Sequence, residues 1–345
     1  MELEKLYNEV SDTIAKLDFS KIWPGFRPLR FALFDNEKCY FAGSYIPKTE
    51  AFCANTSIVY DGEQIATWMV AEELETPVLA SKLVHEMFHG FQTQSGWDCW
   101  PDDIEALFLY EYDAENLALK LRENELLLSL LNGFEGETMS ELLSIRKLRS
   151  IEFPYQFKYE LQTEEIEGCA NYVEWQVLKQ LDPQRAEALA ESMRDTVTKA
   201  ERLMPIRISC YFTGALMIHA LREAGEYSFD PPERPLLLQI LKDIEPRSSD
   251  VDGMEGLVRE ASSATAAYNA DTDAMIRAAL DKNDVALTGP KELGFVNIYN
   301  ARYRSGFLTS TFFLLYREDG QDRMLPGDLV IKMRDEKTID TVYRM

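Results

Sequence analysis

The chain of 345 residues carries 59 acidic against 36 basic side chains, a formal net charge of −23. Such a surface repels phosphate backbones and anionic bilayers, which argues against nucleic acid and membrane as partners. No apolar run approaches the roughly 20 residues of a membrane span, and Met1-Glu2-Leu3-Glu4 opens no secretory leader, so a cytoplasmic protein is expected.

Leu3, Leu6, Val10 and Ile14 recur at helical spacing, which predicts an amphipathic helix within residues 1–20. RFALF (30–34) and CYFAG (39–43) read as strands about a turn at Asn36. TSIVY (56–60) and IATWMV (65–70) read as a hairpin turning at Asp61-Gly62. From residue 72 the period becomes helical, over 77–95, 102–132, 140–149, 160–180, 185–202, 208–224, 235–244, 252–264 and 271–284. Pro101 and Asp102-Asp103 suit the start of the second of these, since proline and acids favour a first turn. Strands return at 294–303, 307–316, 328–333 and 339–345. The expected class is α+β: an N-terminal antiparallel sheet (1–75), a helical body (76–285) and a small C-terminal antiparallel sheet (286–345). The cysteines Cys39, Cys53, Cys99, Cys169 and Cys210 form no C-x-x-C pair. A disulfide framework and a thiolate zinc site are both unexpected.

The segment that carries chemistry is LVHEMFHGFQ, residues 83–92, which contains His85-Glu86-Met87-Phe88-His89. On a helix, positions i and i+4 share a face, so both imidazoles can address one ion. Glu86 then lies beside them, placed to take a proton from a water at that ion. Neutral imidazole suits zinc. His85, His89 and His219 are the chain's three histidines, and so few produce this pattern by chance in roughly one such chain in 500. An open catalytic zinc needs a third protein ligand. His219 and numerous carboxylates are available for it.

Here the chain resembles the gluzincins, HExxH metallopeptidases whose third ligand is a glutamate on a later helix. In the aminopeptidases of that group the glutamate helix reads Asn-Glu-Gly-Phe-Ala. Residues 165–172 read Glu165-Ile166-Glu167-Gly168-Cys169-Ala170-Asn171-Tyr172, with the Glu-Gly-x-Ala core at Glu167. The resemblance implies a zincin-like helical body and Glu167 as third ligand. Gly168 is expected to let this helix approach the zinc helix closely. Ile166 replaces the family asparagine, and the interval from His89 to Glu167 is much longer than is usual in the group. Glu111 stands at the more familiar spacing, so Glu111, Glu115, Glu164 and Glu165 remain rivals.

A second match lies in Cys210-Tyr211-Phe212-Thr213-Gly214. A tyrosine three residues before a glycine donates its hydroxyl to the tetrahedral intermediate in the aminopeptidase branch, which implies that role for Tyr211. Arg207, one turn earlier, could bind a substrate carboxylate but reads better as a surface arginine, and His219, which could reach the cleft from the same helix face, reads better as a structural histidine. The strand at 54–60 or its return at 65–70 is expected to line the cleft. The family's Gly-x-Met-Glu-Asn strand is absent, so an aminopeptidase activity does not carry over.

The resemblance therefore implies peptide-bond hydrolysis with one Zn²⁺ per chain, held by His85, His89 and Glu167. Glu86 would be the base and Tyr211 the oxyanion donor, acting on a peptide or small amide. Two alternatives stand beside this. One is a zinc hydrolase of a non-peptide amide or ester. The other is a non-catalytic binding protein that retains the gluzincin fold.

Overall fold

A computed structural model describes residues 2–225, 229, 235–247 and 253–345. Helix α1 (Leu3–Ile14) buries Leu3, Leu6, Val10 and Ile14, the stripe its sequence predicts. Five strands come next: β1 (Arg30–Phe34), β2 (Lys38–Phe41), β3 (Ser44–Pro47), β4 (Thr56–Tyr60) and β5 (Glu63–Met69). They form one sheet in the order β3-β2-β1-β5-β4. Neighbours are antiparallel except β1 and β5, which run parallel at its centre. β3 is not among the expected strands, because Ser44-Tyr45-Ile46-Pro47 is too short and too exposed to show a period. β4 closes one side of the sheet, and its outer edge pairs with no other strand among the described residues.

The helical body begins with α2 (Thr76–Gln94), whose Pro77 sits in the first turn. The single helix expected over 102–132 is two, α3 (Asp103–Leu109) and α4 (Ala114–Asn132). Asp113 causes the break: its carboxylate accepts the Glu115 and Asn116 amides at 2.8 and 2.9 Å and starts a new helix. After α5 (Gly136–Glu152), helix α6 (Pro154–Thr163) passes through a π turn at Glu164–Gly168 into α7 (Cys169–Leu181). Next come α8 (Pro183–Val197), a short 3₁₀ turn at Ala200–Leu203, and α9 (Ile206–Ala224). Of the helix expected at 235–244, only α10 (Leu236–Gln239) forms. The two helices expected at 252–264 and 271–284 are one, α11 (Glu255–Lys282). The run between them, Thr265-Ala266-Ala267-Tyr268-Asn269-Ala270, has no glycine or proline to stop a helix and too few large apolar residues to show a period.

The C-terminal strands are β6 (Val285–Val296), β7 (Arg302–Arg304), β8 (Phe307–Ser310), β9 (Phe313–Glu318), β10 (Gln321–Pro326), β11 (Leu329–Met333) and β12 (Thr338–Arg344). They form an antiparallel sheet in the order β10-β9-β6-β12-β11-β8-β7. The strand expected at 307–316 divides at Thr311-Phe312, where Phe312 takes a positive φ of 68°. β6 starts earlier than expected because Gly289 lets it lie against β12: an added Cβ would sit 2.1 Å from the Ile339 carbonyl oxygen. This sheet buries Val296, Leu308, Leu314 and Ile331, and Ile104, Leu107 and Phe108 of α3 pack against them. Tyr303 and Phe108 meet edge to face at 4.7 Å. The largest apolar cluster joins α1, the first sheet, α2, α7 and α9. No described helix is long and apolar enough to cross a membrane.

Candidate metal centre

Helix α2 lies under the first sheet because Gly90 has no side chain. A Cβ there would stand 2.5 Å from Leu29 Cδ1 and 2.7 Å from Ser57 Oγ. This close contact brings the edge strand β4 beside the histidines. Leu83, Val84, Met87 and Phe88 are fully buried and fix the helix rotation. His85, Glu86 and His89 thereby face one pocket.

The third side comes from the π turn. A π turn inserts one residue into a helix and rotates the residues beyond it, and Glu167 lies within it. Glu167 Oε2 stands 3.7 Å from His85 Nε2 and 3.3 Å from His89 Nε2, and the two nitrogens are 3.1 Å apart. Ligand atoms about 2.0–2.1 Å from a tetrahedral zinc are separated by roughly 3.3 Å. The three atoms therefore outline one face of such a polyhedron, and together they form a cluster able to hold a metal ion.

The surrounding hydrogen bonds say what charge this cluster wants. Gln92 is fully buried; its Nε2 donates to the Ile166 carbonyl at 2.8 Å, which leaves its Oε1 to accept from His89 Nδ1 at 2.7 Å. With the proton on Nδ1, His89 Nε2 is a bare lone pair. His85 Nδ1 has no aligned hydrogen-bond acceptor, but Glu174 Oε2 lies 3.3 Å away and favours the proton on that nitrogen. Two lone pairs 3.1 Å apart, facing a carboxylate oxygen, repel one another unless a cation sits between them. Carboxylate and amide partners behind metal-ligating imidazoles are the usual support for such a site. Without a metal ion, the same negative surroundings favour a proton in that place. Burial pushes the His85 imidazolium down, but Glu167 and Glu174 outweigh this and raise it to about 10. Burial likewise pushes Glu167 up, and His89, His85 and Arg207 pull it well below the carboxylate range.

Arg207 is buried, contrary to the expected surface position. Its Nη2 donates to Glu167 Oε1 at 2.8 Å and reaches the Tyr211 hydroxyl at 3.2 Å. Its Nη1 donates to Asp103. One oxygen of Glu167 is thus committed to Arg207, and the other faces the histidines. Gly168 does permit a close approach, but to α9 rather than to α2. A Cβ on Gly168 would lie 2.5 Å from Gly214 Cα, and one on Gly214 would lie 2.7 Å from the Glu164 carbonyl oxygen. The two glycines of the two matched segments touch each other, and this contact places Tyr211 and Glu167 in the same pocket.

Below the turn lies a fully buried ionic cluster. Glu164 accepts from Lys120 Nζ, Arg146 Nη2 and Thr213 Oγ1, each at 2.6 Å. Arg146 and Arg149 also bind Glu123 at 3.3 and 3.0 Å, and Arg149 Nη2 binds Glu160 at 2.6 Å. The charges of Lys120, Arg146 and Arg149 balance those of Glu123, Glu160 and Glu164. This ties the π turn to α4, α5, α6 and α9. Glu165, another rival ligand, instead accepts the backbone amides of Leu236 and Leu237 at 2.9 and 3.1 Å. Glu111 and Glu115 are exposed and outside the ligand cluster. His219 stacks edge to face on Trp175 at 5.3 Å and is not a ligand.

The pocket measures about 320 Å³ and is lined by Asn55, Thr56 and Ser57 from β4 and its approach, by Thr93 and Trp100, and by Tyr211 and Tyr299. The cleft-lining strand is therefore β4, not the return strand. Among the lining residues the carboxylates are Glu86 and Glu167, both beside the ligand atoms. Burial raises Glu86, with His85 and His89 pulling the other way, and the net shift is upward. Burial and, after it, Glu167 raise the Tyr211 phenol well above its ordinary value, so the hydroxyl keeps its proton.

Gln92 and Glu174 carry a weak signal in the sequence. Gln92 is three residues beyond His89, on the same helix face within an apolar run, and Glu174 lies seven beyond Glu167. Trp100 and Tyr299 come from loops and carry no local signal. No protein-family model, no curated protein and no solved structure matches the chain.

Proposed function

We propose that the protein is a zinc-dependent hydrolase that cleaves peptide bonds. The observation that carries this is the convergence of three ligand atoms with Glu86 and Tyr211 in one pocket, beside the free edge of β4. His85, His89 and Glu167 would hold one zinc ion, whose Lewis acidity makes water nucleophilic near neutral pH and polarises a carbonyl. Glu86 removes the proton from the attacking water and delivers it to the leaving amine; its raised pKa suits both halves of that transfer. Tyr211, protonated and receiving a hydrogen bond from Arg207, donates to the oxygen on which negative charge develops. The free edge of β4 offers backbone donors and acceptors to an extended peptide. Among the lining residues a substrate amino terminus has no dedicated carboxylate, because Glu86 and Glu167 are already occupied with proton transfer and ligation.

That last point also supports a second reading, hydrolysis of a small non-peptide amide or ester in the same centre. Zinc-loaded protein is to be incubated with a pool of internally quenched fluorescent peptides and, separately, with small amide and ester substrates. Cleavage of the peptides, lost by about 10²–10⁴-fold in Glu86→Gln with zinc retained, is the expected result. Cleavage confined to the small substrates selects the second reading. Zinc-loaded protein that cleaves neither set counts against the hydrolase reading.

A further inference from the structure

Among the residues lining the pocket, the C-terminal sheet contributes one side chain, Tyr299, on the turn between β6 and β7. The turn is held in place. Asn297 and Asn300 both donate to Thr311 Oγ1, at 3.1 and 2.6 Å, and Thr311 Oγ1 donates back to Asn300 Oδ1 at 2.9 Å. The Ala301 amide closes the turn onto the Asn297 carbonyl at 3.0 Å. Tyr299 itself, between these anchored residues, is 51% exposed. An exposed tyrosine on a pinned turn, facing a pocket, is arranged to meet something bound there.

Its hydroxyl lies 3.5 Å from that of Tyr211. This is long for an O–H···O hydrogen bond, and contacts of this kind tighten when a catalytic pocket fills. A phenol oxygen has two lone pairs and one proton. Arg207 Nη2, at 3.2 Å, addresses one lone pair of Tyr211. We propose that Tyr299 is a positioning residue for Tyr211: its hydroxyl donates into the second lone pair and directs the Tyr211 proton at the group bound in the pocket. The C-terminal sheet thereby completes the centre assembled by the helical body. This rests on the reading that Tyr211 faces an oxyanion at the metal.

The test uses the full chain with cobalt(II) in place of zinc and phenylphosphonate, a tetrahedral oxyanion, as the probe, read by the visible absorption of the cobalt. Tyr211→Phe, Tyr299→Phe and the double variant are compared with wild type; equal cobalt affinity in all four shows that the fold and the ligand set are intact. Each single change is expected to weaken phenylphosphonate binding roughly fivefold, the size of one neutral hydrogen bond. The double variant should bind no worse than Tyr211→Phe, because Tyr299 acts through Tyr211. Full-strength binding by Tyr299→Phe beside a weakened Tyr211→Phe overturns the role of Tyr299 alone. Losses that multiply in the double variant show independent contacts and also overturn it. Full-strength binding by Tyr211→Phe removes the donor role of Tyr211 and this inference with it. Peptide cleavage does not enter the readout, so failure of the peptidase reading is scored separately.

Discussion

Replacing Gln92 separates the stability of this centre from its metal affinity. Its amide makes two hydrogen bonds, a buried one to the Ile166 carbonyl at 2.8 Å and a partly buried one from His89 at 2.7 Å. Gln92→Leu fills nearly the same volume and leaves both partners without a bond. A buried group left unpaired costs about 1–3 kcal/mol, so the two together predict a loss of about 2–6 kcal/mol. Removing the support behind a metal-ligating histidine weakens metal binding by roughly 10–100-fold. Gln92→Glu divides the two effects: it keeps an acceptor for His89 but sets a carboxylate against the Ile166 carbonyl. It should therefore lose stability while holding zinc as tightly as the parent. The assays are urea denaturation of protein treated with chelator and zinc competition with a chromophoric chelator. Stability within about 0.5 kcal/mol of wild type together with unchanged zinc affinity in Gln92→Leu would refute the hydrogen-bond chain.

The packing below the site supplies three further tests. Gly214→Ala drives a methyl to within 2.7 Å of the Glu164 backbone; overpacking of this kind costs about 1–3 kcal/mol, and both the denaturation midpoint and zinc affinity should fall. Lys120→Met leaves Glu160 and Glu164 short of a partner in a fully buried cluster. A broken buried pair costs about 3–5 kcal/mol, and calorimetry should show a much lower Tm. Acid should destabilise the wild type through the same cluster. Burial pushes Glu164 up, but Arg146 and Lys120 more than offset it and hold its carboxyl far below its ordinary value. A carboxyl depressed in the folded state contributes stability above its unfolded pKa, about 4.3, and loses that contribution as pH falls below it. Denaturation midpoints measured from pH 7 down to 3 should drop, and Glu164→Gln, weaker throughout, should show a shallower drop.

How much of this is legible in the sequence depends on whether a signal is local. The HExxH pair and the stripe of α1 are local patterns with fixed periods, and both are readable from residue spacing. Glu167 is readable through the Glu-Gly-x-Ala resemblance and not through spacing, because four helices intervene between α2 and the π turn. Arg207 reads as a surface residue because charged side chains usually are. Its burial depends on Asp103 and Glu167, which lie distant in sequence and converge in the fold. The ionic cluster is hidden for the same reason: its six charges come from three helices and the π turn, and each resembles an ordinary exposed charge in its own segment. Tyr299 is invisible because the position of a turn on one sheet relative to another body depends on packing alone. The break at Asp113 does have a local signal, since aspartate before Ala-Glu-Asn starts a helix, but the helical period on either side masks it.

His85, His89 and Glu167 form one cluster able to hold a metal ion. Its most direct test is the zinc content of the purified, zinc-equilibrated protein beside the Glu167→Ala and Glu111→Ala variants. One equivalent of zinc in wild type and in Glu111→Ala, and little or none in Glu167→Ala, is the predicted result. Wild-type protein that takes up no zinc, or a Glu167→Ala variant that holds it as tightly as wild type, would show that these three residues are not a zinc site.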